Sequence, residues 1–387
     1  MSASSVRVVP VTSRRQVKDL VMFPFRLYRD DPNWVPPLIS DRMKHFSPSA
    51  NPFYQHAQVQ LFRALRDGQT VGTIAAIADE THPRIWNEPV GFFGEFEAID
   101  DQEVAHALFD AARDWLAARG REVMRGPMNM NVNEEIGLLV DGYDGPPVIM
   151  MTYNPPYYQE MIEAYGFGKA KDVYAYKIDI AGYAADLSNV PGQVKRVARI
   201  AVERYGVTLR HLDLRRIHEE VDLIKPIYRK AWQMNWGAIP ITDDELDHLA
   251  DSLVQIADSR ITYLAFVDGQ AIGVFLAVPD FCQVAIHLGG RLFPTGWLKY
   301  LWYRRKITGL RVLIMGVLEE HRLKGIEALF YLEGLRRAKE MGMEWGEMSW
   351  ILEDNYKVRR GIEAMGGRLY RTYRLYDIPT SRLQSAG

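Results

Sequence analysis

Between Leu61 and Asp79 the sequence LFRALRDGQTVGTIAAIAD forms two apolar blocks parted by the polar pair Asp67-Gly68. Such a pair between strand-like blocks is the strongest short-range signal for a β-hairpin. The pattern returns without a gap at 262–280, TYLAFVDGQAIGVFLAVPD, with seven of nineteen positions identical, Asp268, Gly269 and Gly273 among them. Apolar residues at helical spacing predict a helix over Asp101–Gly120 and another over Gly325–Gly342, each following an apolar strand. A second match pairs MIEAYGF at 161–167 with GIEAMGG at 361–367, and Asn154 with Asn355. Two matches in one order, at an offset near 200, predict two copies of one α/β (α+β) domain. They part near 180–192, where Gly, Pro and small residues accumulate, which puts the domains at 1–182 and 190–387. Each copy runs helices, antiparallel hairpin, strand, helix, strand, helix and final strands. Its strand–helix–strand part is a parallel βαβ element at the centre of a mixed sheet.

Composition narrows the function classes. The 387 residues suit two domains that bury their own cores. With 47 basic against 49 acidic residues, the usual electrostatic case for a nucleic-acid binder is missing. The single cysteine, Cys282, excludes an intrachain disulfide and a multi-cysteine metal site, and fits a reducing cytoplasm. Its apolar surroundings read as a small buried residue rather than a nucleophile. Met1–Arg14 lacks an apolar core, so no cleaved signal peptide is expected, and no run of about 18 apolar residues predicts a membrane span. The nine histidines show no HExxH spacing, so no metal site is expected; GxSxG, Walker and GxGxxG patterns are also missing.

The two copies differ where the central strand meets its helix. In the second, RVLIMGVL runs into EEHRLKGIEALF, so a strand ends in the turn HRLKG that opens a helix. Helix-opening N–H groups and the helix dipole favour an anion there, and Arg322, Lys324 and Gly325 add charge and room. In the first copy the same turn carries Glu97, Asp100, Asp101 and Glu103 and no glycine, which suits a helix start but repels a phosphate.

Strand, Arg-x-x-Gly turn, helix, strand and a following Asn resemble the GNAT acyltransferase superfamily. Arg322, Gly325 and Asn355 match its pattern; Glu327 stands at its Gly/Ala position and Ile362 where a Tyr general acid often stands. The segments FPFRLYRDDPNWVPPL (23–38), RGPMNMNVNEEIGLLVDGYDGPP (125–147), YNPPYY (153–158), GRLFPTGWLK (290–299) and SWILEDN (349–355) resemble more narrowly the bacterial tandem-GNAT proteins that include ceramide synthases. That resemblance implies N-acylation of a long-chain amino alcohol, a sphingoid base or its 3-keto form. The donor is a fatty acyl-CoA or acyl carrier protein thioester, used as co-substrate with no permanently bound cofactor. It also implies that Val317, Leu318, His321, Arg322, Leu323, Lys324, Gly325, Ile326 and Asn355 hold the thioester, with backbone N–H groups around Val317 and Leu318 meeting the oxyanion.

A base must take the amine's proton. Glu347 and Ser349 share one face of the strand EMSWIL; Glu347 either accepts the proton in the cleft or lies on a strand edge. His287 either reaches the substrate or is a core histidine between Ile286 and Leu288, and His321 abuts the turn as a phosphate contact. In the first copy Asn129 and Asn131 read as turn residues, with Glu134 and Glu135 as contacts for a hydroxylated amine head group; Tyr153 either walls the cleft or packs it.

From Phe281 to Leu318 there is no acid in 38 residues, while Arg291, Lys299, Arg304, Arg305, Lys306 and Arg311 interleave with aromatics including Trp297, a further substrate contact. The stretch suits CoA phosphates, a carrier protein or an anionic inner-membrane surface, or else is an ordinary packed segment. The competing readings are an N-acyltransferase for amino acids or another small amine, and a non-catalytic acyl-carrier-binding protein.

Overall fold

The computed structural model describes residues 5–232 and 235–381. In the first half, β1 (Arg7–Pro10), α1 (Arg14–Leu27) and α2 (Ile39–His45) precede the hairpin β2 (Ala57–Arg66) and β3 (Gln69–Asp79). There follow α3 (Thr81–Trp86), β4 (Val90–Ala98), α4 (Gln102–Ala117), β5 (Val123–Gly126), β6 (Leu138–Asp141), α5 (Tyr157–Tyr165) and β7 (Gly168–Asp179). The second half opens with α6 (Gly192–Tyr205), β8 (Thr208–His211), α7 (Ile217–Trp232) and α8 (Asp243–Leu253), then the hairpin β9 (Thr262–Val267) and β10 (Gln270–Pro279). It continues through α9 (Cys282–Ala285), α10 (Gly296–Tyr303), β11 (Gly309–Val317), α11 (Ile326–Glu340), β12 (Trp345–Leu352), α12 (Tyr356–Ala364) and β13 (Arg368–Pro379).

The repeat shows in backbone detail. Asp67 and Gly68 have φ of 52° and 77°, and Asp268 and Gly269 have 50° and 78°, the doubly positive turn that an Asp-Gly hairpin requires. Each hairpin carries one extra residue in its second strand, Val71 between Thr70 and Gly72 and Ile272 between Ala271 and Gly273. These bulges lie 201 positions apart, the offset of the sequence match. The glycine after each bulge makes room for a helix. A Cβ on Gly72 would come within 2.8 Å of Leu108 on α4, and one on Gly273 within 3.3 Å of Phe330 on α11. Both βαβ elements are parallel, β4 with β5 and β11 with β12.

The chain forms two units. The first holds the chain up to Val173, Ala285–Leu298, and the chain from Arg371 onward. Its strands run β1-β2-β3-β4-β5-β13, with β6 also pairing β13. Its core stacks Phe93, Phe96, Phe109, Tyr158 and Phe167 beneath α4 and α5. The second unit, Tyr174–Val284 and Lys299–Tyr370, has the order β7-β12-β11-β10-β9-β8 and a core around Tyr263, Phe275 and Phe330. Strands β7 and β13 therefore change unit along their length. The unit division departs from the repeat copies in the segments 174–182, 285–298 and 371 onward.

Candidate active site

In the second unit β11 ends at Val317, and a single turn over Glu319–His321 leads to Arg322–Gly325. Leu323 and Gly325 both have positive φ, 63° and 86°, which folds the chain back so that α11 starts without a side-chain cap. Its first N–H groups therefore have no side-chain acceptor, a ready anion site. Arg322 is exposed, and Lys324 lies 3.4 Å from His321 Nδ1. Burial and the Lys324 charge hold the His321 imidazole below its usual range. The equivalent helix α4 differs: Asp101 caps it by accepting from the Glu103 N–H, and Arg66 closes over Asp101 and Glu103 at 2.7 and 3.0 Å. Copy one has filled with its own side chains the place copy two leaves open.

Three of the residues expected to hold the thioester have structural partners of their own. Gly325 serves helix packing: a Cβ there would lie 2.3 Å from the Val197 carbonyl oxygen on α6. The Leu318 N–H donates to the Ile272 carbonyl at 2.9 Å and is not open to an oxyanion. Antiparallel alternation then turns the Val317 N–H to the other edge of β11, where pairing with β12 has ended at Val312↔Met348. Asn355 caps α12 through the Val358 N–H at 3.4 Å.

Glu347 and Ser349 do share a face, but Glu347 is sealed. Ser349 Oγ donates to it at 2.7 Å, Tyr370 OH donates to its other oxygen, and Arg311 Nε lies 3.7 Å away with both charged groups buried. Arg311 Nε also donates to Ser349 Oγ at 3.0 Å. The network ties β11 to β12, and Glu347 is its one member lining a mostly apolar cavity of about 50 Å³ formed with Ile178, Phe275, Leu310, Tyr331 and Met365. The alternative of a strand-edge surface residue does not hold. His287 is exposed in the turn after α9, not a core histidine, and Trp297 is exposed on α10.

The first unit brings together a second set of ionisable groups. In β4 the register slips so that Glu95 and Phe96 together oppose Ile74, and Glu95 takes φ 51°. The Met128 carbonyl packs where a Cβ on Gly94 would be, and Asn129 Oδ1 accepts from the Glu95 N–H at 2.9 Å. Held this way, Glu95 pairs with Arg42 and with His45 Nε2 at 3.2 Å. Arg42 and His45 stand three apart on α2 and so share a face. His45 Nδ1 faces Glu134 at 3.5 Å, and Asn129 Nδ2 donates to Glu135 at 3.2 Å. Burial raises Glu95, but Arg42 and His45 outweigh it and hold the carboxyl below its ordinary range. Burial pushes Glu134 up to about 7 and raises Glu135 as well. Glu134 still exposes 31% of its side chain, so it sits at the mouth of the cluster. Three carboxyls against one guanidinium and one imidazole suit a cation, and the imidazole between two carboxyls can pass a proton.

Glu134 and Glu135 thus meet, while Tyr153 lies apart with its hydroxyl on Asp31 at 2.6 Å. Asn131 forms an Asx turn with the Asn133 N–H, as its turn assignment expects, whereas Asn129 bridges Glu95 and Glu135. Sequence reasoning missed Arg42, His45 and Glu95. The available signal was Glu95 itself, a charge in the apolar strand GFFGEFE.

No family model matches the chain. The fold is that of the tandem GNAT acyltransferases: over 97% of this chain and 99% of the other it superposes on a tandem GNAT protein from the clavulanic acid biosynthesis pathway, with TM-score 0.59 and 13% identity. The protein is an N-acyltransferase, which removes the non-catalytic reading. It is 38% identical over 382 residues to the bacterial ceramide synthase of Caulobacter vibrioides (strain NA1000 / CB15N), covering 97% of each chain. It is 36% identical over 372 residues to Protein YghO of Escherichia coli (strain K12), covering 94% of this chain and 93% of that one. The chain belongs to the bacterial ceramide synthase-like family of tandem GNAT acyltransferases.

Proposed function

We propose that the protein transfers a long-chain fatty acyl group from an acyl thioester to the amine of a sphingoid base or 3-ketosphinganine, giving a ceramide or its keto form. The observation that carries this is the 38% identity to a bacterial ceramide synthase across nearly the whole of both chains. The uncapped start of α11, with Arg322 and Lys324 beside it, is the place for the phosphates of acyl-CoA. The Val317 N–H at the open edge of β11 is the proposed oxyanion donor.

The cluster around Glu134 is the proposed site of the ammonium head group. There His45 and Glu134 take the proton of the ammonium group. The free amine attacks the carbonyl carbon of the thioester, and the tetrahedral adduct collapses by expelling the thiolate. Glu347 keeps β11 and β12 in place and is not the proposed base, because its oxygens are already taken up by Ser349, Tyr370 and Arg311.

The test is thiol release from palmitoyl-CoA by the purified full chain, with sphinganine, 3-ketosphinganine, amino acids or no amine, and mass analysis of the products. Turnover with the long-chain amines supports the proposal. Turnover confined to amino acids overturns it, and palmitoyl transfer from a carrier protein but not from CoA overturns the donor assignment.

A further inference from the structure

Helix α10 is amphipathic the wrong way round for a soluble surface. Its buried side is narrow: Gly296 is buried, Tyr300 and Tyr303 are half-buried, and Tyr300 lies 6.2 Å from Phe281. Trp297, Leu298, Leu301 and Trp302 occupy positions i, i+1, i+4 and i+5, one continuous face, and all four are exposed. Trp302 exposes 64% of its surface, and Phe293 in the turn before the helix exposes 78%. Five large apolar side chains within ten residues form a patch that scattered surface leucines do not explain.

The charges along this segment have one sign. Arg291, Lys299, Arg304, Arg305 and Lys306 are all exposed, and the segment 281–318 has no acid. Lys306 lies over the Trp302 ring at 4.8 Å and Arg304 over Tyr300 at 5.4 Å, so the cations rim the aromatic face. Eight residues are far too few to cross a bilayer, and no helix among the described residues is long and apolar enough to do so. A short helix with an apolar outward face and a cationic rim fits the plane of an anionic lipid interface, with the indoles at head-group depth.

We infer that Phe293 and the Trp297–Leu298–Leu301–Trp302 face of α10 dock the protein peripherally on an anionic lipid bilayer, with Arg304, Arg305 and Lys306 against the lipid phosphates. The inference stands on the exposed face and its charge and not on the identity of the amine, so it can fail while the proposed reaction survives.

The test is co-sedimentation of the full chain with phosphatidylcholine vesicles and with vesicles holding about 30% phosphatidylglycerol. Expected is binding to the anionic vesicles at least about tenfold tighter than to the neutral ones, weakened by about 0.5 M salt. Leu301→Ser with Trp302→Ser should lower binding about tenfold or more, with thermal unfolding checked to confirm that the variant folds. Arg304→Ala, Arg305→Ala and Lys306→Ala together should abolish the preference for anionic lipid. Leu223→Ser, at another exposed apolar residue, serves as the control and should bind like the parent chain. Equal binding to both vesicle types, no binding to either, or a double variant that binds like the parent would each overturn the inference. So would capture by an acidic carrier protein, with the vesicles left unbound.

Discussion

Glu134 and Glu97 are both pushed up to about 7 by burial, in different surroundings: Glu134 faces His45, and Glu97 accepts from Tyr28 at 2.6 Å and Tyr158 at 2.7 Å. The folded chain holds these protons more tightly than the unfolded chain, where a Glu titrates near about 4.3. Their contribution to stability is therefore complete below about 4.3 and is lost as pH rises through about 7. The melting temperature should fall between about pH 5 and about pH 8, and Glu97→Gln should fall less. A variant that keeps the parent slope would show that Glu97 does not titrate there. For catalysis the sign reverses, because a base must be deprotonated. The rate should rise with pH through about 7, and Glu134→Gln should flatten that rise and cost about 100-fold or more in kcat. Measuring kcat/KM against pH for the parent, Glu134→Gln and His45→Gln checks this; an unchanged profile in both variants would remove the cluster from the reaction.

At the scale of elements, α4 and α11 are the same helix used in two ways. Asp101→Ala should cost about 1 kcal/mol of stability, the ordinary loss for an N-cap, without affecting donor binding. Arg322→Ala and Lys324→Ala should do the opposite, raising KM for acyl-CoA while leaving the melting temperature in place. KM for an acyl-pantetheine donor, which lacks the nucleotide phosphates, should not move. A parallel rise in KM for both donors would place these side chains elsewhere than on the phosphates. The tie between β11 and β12 gives another contrast. Glu347→Ala removes the buried carboxylate beside Arg311, itself only 2% exposed, and should cost about 3–5 kcal/mol, measured by denaturant unfolding.

For the molecule as a whole, the repeat and the unit division disagree about β13. The sequence match puts this strand in copy two, yet from Arg371 onward it belongs to the first unit. There Tyr376 pairs Gly126 on β5, Arg374 pairs Leu138 on β6, and Arg374 binds Asp172 at 2.8 Å. A fragment of residues 1–182 would leave β5 and β6 without that strand and bury Asp172 without its guanidinium. It should show no cooperative thermal transition by calorimetry. A native-like transition in the fragment would show that the first copy folds without the final strand.

Local pattern and spacing were enough for the elements, because turn chemistry and periodicity act within a few residues. Asp67-Gly68 and Asp268-Gly269 dictated their hairpins, the matched glycines dictated where α4 and α11 lie on them, and the contrast of Asp101 with Gly325 marked which helix start has no side-chain cap. The blocks from Phe23 to Asn355 carried the family. The site chemistry was less legible. Glu347 looked like a base until Arg311 and Tyr370, 36 positions before it and 23 after, closed around it. His45, Glu95 and Glu134 are likewise scattered over some 90 residues and became one array only when the β4 bulge aimed Glu95 at α2. Proximity across such separations, and the burial that shifts a carboxyl's affinity for a proton, are properties of the packed chain, so only the tertiary structure could show that Glu347 is enclosed while Glu134 keeps an exposed face.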